Sequence, residues 1–124
     1  MDKITAQQQQ LKRAADFLRR ALGQPEDKFQ RAAVIQAFEF SYELSWKYLK
    51  SLVEINSGMV ASPRAAFREA AKLDIVNNPG QWFDFQEARN LTTHTYVEAV
   101  AVKVYAVVKT EFVAALDKLI ATEI

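Results

Sequence analysis

Residues 27–56 read DKFQRAAVIQAFEFSYELSWKYLKSLVEIN, and their apolar side chains recur at spacings of three and four positions. This period is that of an α-helix with one buried face, so the stretch predicts a single long helix. The apolar face is broad, which indicates burial against more than one neighbour. It contains Val34, Ile35, Phe38, Tyr42, Ser45, Trp46, Leu49 and Val53, and Ala37, Phe40, Leu44 and Leu52 widen it.

Four further helical patterns flank this stretch, and together they predict an all-α bundle formed by one domain over residues 1–124. Ser62 and Pro63 are residue types favoured at an N-cap and at the first helical position, so they predict where the third helix begins. Residues 77–80, Asn-Asn-Pro-Gly, have the composition of a turn. The other predicted helices cover residues 4–22, 63–73, 81–90 and 93–122.

The start of the last helix rests on two threonines, because either Thr92 or Thr93 has the side chain of an N-cap. Valine is abundant over residues 97–113 and favours strands somewhat. Strict alternation of apolar and polar residues is absent there, so we predict helix. The same periodicity places Leu73 and Val97 on inward faces of their helices.

The composition excludes several classes of function. The chain has no cysteine, which excludes disulfide scaffolds, thiolate zinc sites and cysteine nucleophiles. The net charge of +1 excludes a strongly basic nucleic-acid coat, so RNA or nucleotide binding would need a local patch. No segment has the length and hydropathy of a membrane span, and the first ten residues lack the apolar part of a signal peptide. We therefore expect a cytoplasmic protein that does not bind membranes.

Residues 89–96 read RNLTTHTY and contain the only histidine of the chain. Arg89 offers a permanent planar cation that binds phosphate, and His94 can exchange a proton near neutral pH. Five positions along an unbroken helix would leave these side chains roughly 140° apart. A helix end near Asn90 would allow them to converge on a phosphodiester. The alternative is an ordinary turn between helices, with Arg89 in a surface salt bridge and His94 near a cap.

Three nearby residues are candidates for supporting roles. Tyr96 could contact a phosphate or receive a modification, although a half-buried structural tyrosine is commoner. Glu39 and Glu43 lie one turn apart and repel each other modestly unless a cation lies between them. They could orient Arg89 or His94 from a neighbouring helix, or be solvated acids. Because no second histidine or third carboxylate has suitable spacing, we predict no metal site. No cofactor-binding motif occurs either.

Four blocks of sequence carry a family resemblance. Residues 89–96 resemble the Arg-x-x-x-x-His-x-Tyr signature of HepT-like toxins in the HEPN superfamily and of the related nucleotidyltransferase substrate-binding proteins. Residues 38–47 resemble the second helix of this family, and residues 62–70 resemble the opening of its third helix. Trp82 fits upstream of the signature. The resemblance extends over about residues 5–120, but the family's acidic residue before the fourth helix is missing.

The resemblance implies an antiparallel bundle of four or five helices that forms a homodimer, with Arg89 and His94 of both subunits meeting at its cleft. It implies a partner, a minimal nucleotidyltransferase. By analogy with HepT-like toxins, the dimer would be a metal-independent ribonuclease without a cofactor. His94 would move protons, Arg89 would hold the phosphate and Asn90 would position the pair. The partner would silence the toxin by transferring AMP to Tyr96.

The same resemblance leaves two other functions open. The branch that this chain resembles most was named for a helical subunit that binds a nucleotide or another substrate for its catalytic partner and cleaves nothing. A purely structural role, as a helical dimer that holds the partner, is the third possibility. Loss of toxicity in Arg89→Ala or His94→Ala would distinguish the ribonuclease from both.

Overall fold

The computed structural model describes residues 2–122, and all regular secondary structure within this range is helical. The central helix, α2 (Lys28–Ser57), contacts four of the other helices. The predicted all-α bundle is therefore confirmed. A π turn, Val108–Phe112, makes the last two helices, α5 (Glu98–Val107) and α6 (Val113–Ala121), continuous. The helices are α1 (Lys3–Leu22), α2 (Lys28–Ser57), α3 (Pro63–Lys72), α4 (Pro79–Leu91), α5 (Glu98–Val107) and α6 (Val113–Ala121).

Side-chain caps explain where the first four helices begin. In each, an oxygen of the capping residue accepts a hydrogen bond from the backbone N–H three positions on, which satisfies a donor that the helix leaves free. The capping residues are Asp2, Asp27, Ser62 and Asn78. Helix α2 ends before Gly58, whose φ of 73° is a conformation that glycine adopts without steric cost.

Helix α4 begins two residues earlier than the sequence pattern predicts. Pro79 and Gly80 belong to the helix rather than to a turn. The physical reason is that Pro79 occupies the first helical position, where a missing N–H leaves no hydrogen bond unmade. Asn78 completes this start, because its Oδ1 accepts a hydrogen bond from the N–H of Gln81 at 3.2 Å.

The predicted start of the last helix is wrong. Residues Thr92–His94 continue α4 as a short 3-10 turn, and α5 begins only at Glu98 without a side-chain cap. The hydroxyls of Thr92 and Thr93 donate back to the carbonyls of Arg89 and Asn90, at 2.7 and 3.1 Å. This local bonding ties both threonines to the end of α4, so neither caps α5.

An aromatic cluster occupies the centre of the bundle. The ring of Phe112 packs edge-on against Phe38 and Phe85, with centroids 4.8 and 5.1 Å apart. Trp82 is buried beside them, as the sequence indicates.

Three predicted core positions are wrong, because Phe40, Leu73 and Val97 are 37%, 36% and 44% exposed. Leu73 and Val97 lie at helix ends, where the chain leaves the periodic path that placed them inward. Phe40 lies at the edge of the broad face of α2, where its ring packs against the exposed ring of Phe17.

Neither a membrane span nor a metal cluster occurs in the part of the chain that the structure describes. No helix within residues 2–122 is long and apolar enough to cross a membrane. The same residues contain no group of three or more histidine and carboxylate side chains arranged to hold a metal ion.

Candidate active site

Residues 89–96 run from the last turn of α4 through the 3-10 turn to the start of α5. Arg89 and Asn90 belong to α4, His94 ends the 3-10 turn, and Tyr96 lies in the turn that follows. The α-helix therefore ends at Leu91, between Arg89 and His94, and a 3-10 turn carries the chain on to His94. Within residues 2–122, however, no hydrogen bond or ion pair joins these two side chains, and each has partners of its own.

Arg89 faces α2 and forms ion pairs there with Glu39 and Glu43, which lie one turn apart. Its Nη1 is 3.4 Å from Oε2 of Glu39, and its Nε is 3.5 Å from Oε1 of Glu43. The predicted contact between the glutamates and Arg89 is therefore present. The cation between them relieves the repulsion of two carboxylates at this spacing. The structural interpretation of Arg89 predicts a salt bridge as well, so the contact alone does not assign a function.

The guanidinium of Arg89 keeps part of its binding capacity. Its side chain is 27% exposed, and the contacts with Glu39 and Glu43 use only Nη1 and Nε. No hydrogen bond or ion pair to any residue in the 2–122 range uses Nη2. A guanidinium has five N–H donors in a fixed fork, so the two on Nη2 are available to a phosphate oxygen.

Thr92 binds Arg89, although the sequence predicts it as an N-cap of the last helix. Its Oγ1 accepts a hydrogen bond from Nη1 of Arg89 at 2.8 Å and donates one to the Arg89 carbonyl at 2.7 Å. Thr92 is buried and Arg89 is 27% exposed, so this pair of hydrogen bonds is partly shielded from water. The spacing in the sequence could have indicated this contact, because a threonine three positions after an arginine at a helix end can reach both its guanidinium and its carbonyl.

Tyr42 is the second residue near Arg89 that sequence reasoning missed. Its hydroxyl is buried without a hydrogen-bond partner among the described residues. Burial raises the pKa of Tyr42 above its usual value, and the negative charge of Glu43 raises it further, while Arg89 opposes both effects. The phenol therefore stays neutral at physiological pH. The sequence could have indicated this position, because a residue three places after Glu39 on α2 lies on the same face of the helix as Glu39.

His94 is exposed and pairs with Tyr96. Its Nδ1 lies 3.4 Å from the tyrosine hydroxyl, and the two rings meet edge-on with centroids 6.0 Å apart. The tautomer decides which of the two atoms donates. In either case Nε2 makes no hydrogen bond to the residues that the structure describes, which leaves it for a substrate. Tyr96 is 82% exposed, so it is not the half-buried structural tyrosine of the alternative interpretation.

Asn90 and His94 line a shared groove of about 590 Å³ between α4 and α5. Arg89 does not line it. The only lysine in the lining is Lys103, and three acids accompany it: Asp84, Glu87 and Glu111. Excess negative charge disfavours a phosphate in the depth of this groove.

Comparisons with known proteins bear on this site. A family described as "Nucleotidyltransferase substrate binding protein like" matches residues 6–122. A relative from Haemophilus influenzae (strain Rd), named "Probable ribonuclease HepT", is 35% identical over 80 residues. The alignment covers 60% of this chain and 55% of the relative. The chain thus matches about half the length of that protein.

Two solved structures are similar over nearly the whole chain. A protein from Thermus thermophilus has a TM-score of 0.79 at 24% identity, covering 88% of this chain and 94% of its own. A Haemophilus influenzae protein, described as showing the fold of a substrate binding domain of a nucleotidyltransferase, has a TM-score of 0.71 at 27% identity. That match covers 94% of this chain and 93% of the other. The helical architecture is therefore shared.

Proposed function

Because this chain belongs to the family of nucleotidyltransferase substrate binding proteins, we propose that it is a HepT-like toxin, a metal-independent endoribonuclease that a minimal nucleotidyltransferase silences. The name of the Haemophilus influenzae relative supports the ribonuclease activity. The observation that carries the proposal is geometric. Arg89 is held by three side chains yet has a free Nη2 group, and His94 five residues later presents a free Nε2.

The chemistry is an internal transfer within RNA. The ribose 2′-oxygen attacks the adjacent phosphorus, the bond from phosphorus to the 5′-oxygen breaks, and a 2′,3′-cyclic phosphate and a 5′-hydroxyl result. One imidazole accepts the 2′-hydroxyl proton, and an imidazolium returns a proton to the leaving oxygen. His94 is the only histidine, so it takes either role, or both roles through two subunits. Arg89 stabilises the charge that develops on the phosphate, and Asn90 positions the pair.

A homodimer would complete the site. Arg89 and His94 of one chain are not joined, and acids dominate the groove that His94 lines. A second copy that brings its Arg89 to the His94 end would supply the missing positive charge. Glu39 and Glu43 have a defined task in this arrangement, because they set the direction of the guanidinium from α2.

Thr92→Val is expected to lower kcat for RNA roughly tenfold or more and to leave KM nearly unchanged. The substitution keeps the side-chain shape but removes a hydrogen bond to a charged group, which contributes about 1.5–3 kcal/mol. Arg89 then loses its fixed direction in the transition state. Thr92→Ser keeps the hydroxyl and should restore kcat. A variant with a changed unfolding midpoint but unchanged kcat would mean that Thr92 serves only the fold.

Tyr96 is the expected target of the nucleotidyltransferase. Its hydroxyl is exposed and lies against His94, so an attached AMP would place bulk and negative charge beside the imidazole. We expect the partner to transfer AMP from ATP to the tyrosine oxygen, with release of pyrophosphate and loss of the hydroxyl proton, and we expect RNA cleavage to stop. Tyr96→Phe should cleave RNA and resist both effects, as measured by intact mass and by cleavage. Modification of Tyr96→Phe at an equal level would show that another residue is the target.

A second function, that of a non-catalytic nucleotide-binding subunit, is favoured by one observation. Two carboxylates contact Arg89 within its own chain, so its charge is already offset before any RNA arrives. The family description and the Haemophilus influenzae structure also point to substrate binding. Under this alternative, the two-chain complex binds substrate and the isolated chain leaves RNA intact.

Incubation of the unmodified protein with end-labelled RNA in EDTA tests the proposal. Cleavage with 2′,3′-cyclic phosphate ends supports the ribonuclease, because the reaction described above needs no metal. Failure of a folded dimer to cleave any of several RNAs would overturn it and favour the binding subunit.

A further inference from the structure

A second groove lies between the first turns of α2 and the start of α5, and Tyr96 is part of its lining. Its volume is about 460 Å³, within the roughly 300–1,000 Å³ of small-molecule sites. Phe29 and Tyr96 line it and are 76% and 82% exposed. Exposure of two large rings to water is unfavourable, and a ligand that covered them would bury this apolar surface.

Both rings are free to stack on a ligand. Among residues 2–122, neither Phe29 nor Tyr96 stacks on the other. Ile35 belongs to the lining and is buried, which makes that part of the groove apolar. A planar base can stack on an exposed aromatic ring whatever its hydrogen-bonding pattern, since every base has a π-face.

The charges in the groove fit a phosphate group. Lys28 lines it and makes no ion pair with any residue between 2 and 122. Arg31 is paired with Glu26 and Glu98, at 3.2 and 3.5 Å, so its charge is already offset and Lys28 is the cation left for a phosphate. The lining residues thus combine one available cation with two stacking rings, which matches one phosphate and one base.

From these features we propose that the groove is a binding site for a mononucleotide, with the base against Phe29 and Tyr96 and the phosphate at Lys28. The proposal is independent of RNA cleavage, because it uses none of Arg89, Asn90 or His94. Tyr96 then belongs to two neighbouring sites, since its hydroxyl lies 3.4 Å from Nδ1 of His94 and the residue also lines the groove. A nucleotide bound against Tyr96 would therefore affect the contact between Tyr96 and His94.

Titration of the full-length, ¹⁵N-labelled protein with AMP, followed by backbone amide shifts, tests this site. Saturable shifts are expected at Lys28, Phe29, Arg31 and Thr95. Phe29→Ala should weaken AMP binding at least about fivefold, as expected for loss of one stacked base. Lys28→Gln should weaken AMP but not adenosine. Phe17→Ala, an exposed phenylalanine of α1 outside the groove, is the matched control and should bind normally.

Several results would overturn the proposal. Absence of saturable shifts at millimolar AMP would exclude the site, as would shifts confined to Asn90 and His94. Ribose 5-phosphate binding as tightly as AMP would show that no base is recognised. If a short single-stranded RNA binds these residues far more tightly than AMP, the groove is part of an RNA-binding surface and not a mononucleotide site. The ribonuclease proposal would stand or fall separately, on the cleavage of RNA in EDTA.

Discussion

RNA cleavage is expected to fall by about 10²- to 10⁴-fold when His94 is replaced by alanine, because the chain then has no imidazole to move a proton in the transition state. Cleavage is measured with end-labelled RNA in EDTA, under single-turnover conditions. His94 is exposed and its only side-chain hydrogen bond within the described residues is to Tyr96, so the variant should keep its helical circular dichroism and its size in solution.

Two further variants help to distinguish a loss of catalysis from a loss of structure. Thr110→Ala removes an exposed hydroxyl of the π turn that donates to the carbonyl of Ala106 in α5, and this variant should cleave RNA normally. Arg89→Lys keeps a cation beside Glu39 and Glu43 but loses the planar fork, so cleavage should fall while the fold is retained. Full activity of folded His94→Ala would disprove the assignment of His94 as the catalytic residue.

Phe112→Ala is expected to lower the free energy of unfolding by about 3–5 kcal/mol, the usual cost of removing a buried phenylalanine ring. The side chain of Phe112 is 0% exposed and is enclosed by Phe38, Trp82 and Phe85. Truncation leaves a cavity at the centre of the bundle, since α2 and α4, which supply the enclosing rings, would have to shift to close it. Urea unfolding at a fixed protein concentration measures the change, because dimer formation would add a concentration-dependent term.

Phe29→Ala is the matched control for this measurement. Phe29 has the same side chain but is 76% exposed, so the unfolding free energy should change by only about 0.5 kcal/mol. A loss below about 1 kcal/mol in Phe112→Ala would mean that the rings around it repack, contrary to the tight edge-on contacts.

Periodicity predicted the helices well because each carries enough apolar residues to mark one buried face. It failed at the junction of α4 and α5, where four polar residues follow Leu91 and carry no period. Thr92 has a side chain that suits an N-cap, yet its hydroxyl bonds to the preceding helix and to Arg89. Local propensity cannot choose between these two uses, since both satisfy the hydroxyl.

The candidate site was predicted in part. The spacing of Glu39 and Glu43 on one face of α2 was sufficient to suggest that they receive a cation. Which cation they receive depends on how α4 packs across α2, and the structure shows that it is Arg89. The burial of Tyr42 beside this pair, and the groove that Phe29 and Tyr96 share, arise from helices far apart in sequence. No local pattern contains that information.

The sequence by itself determined the all-α class, the central helix, most helix starts and the family, because apolar period, capping side chains and motif residues are local properties. Only the tertiary structure decided the partners of Arg89, the separation of its contacts from those of His94, and the second groove beside Tyr96. The reason is physical: these features depend on which faces of distant helices meet, and that is settled by packing of the shared aromatic core.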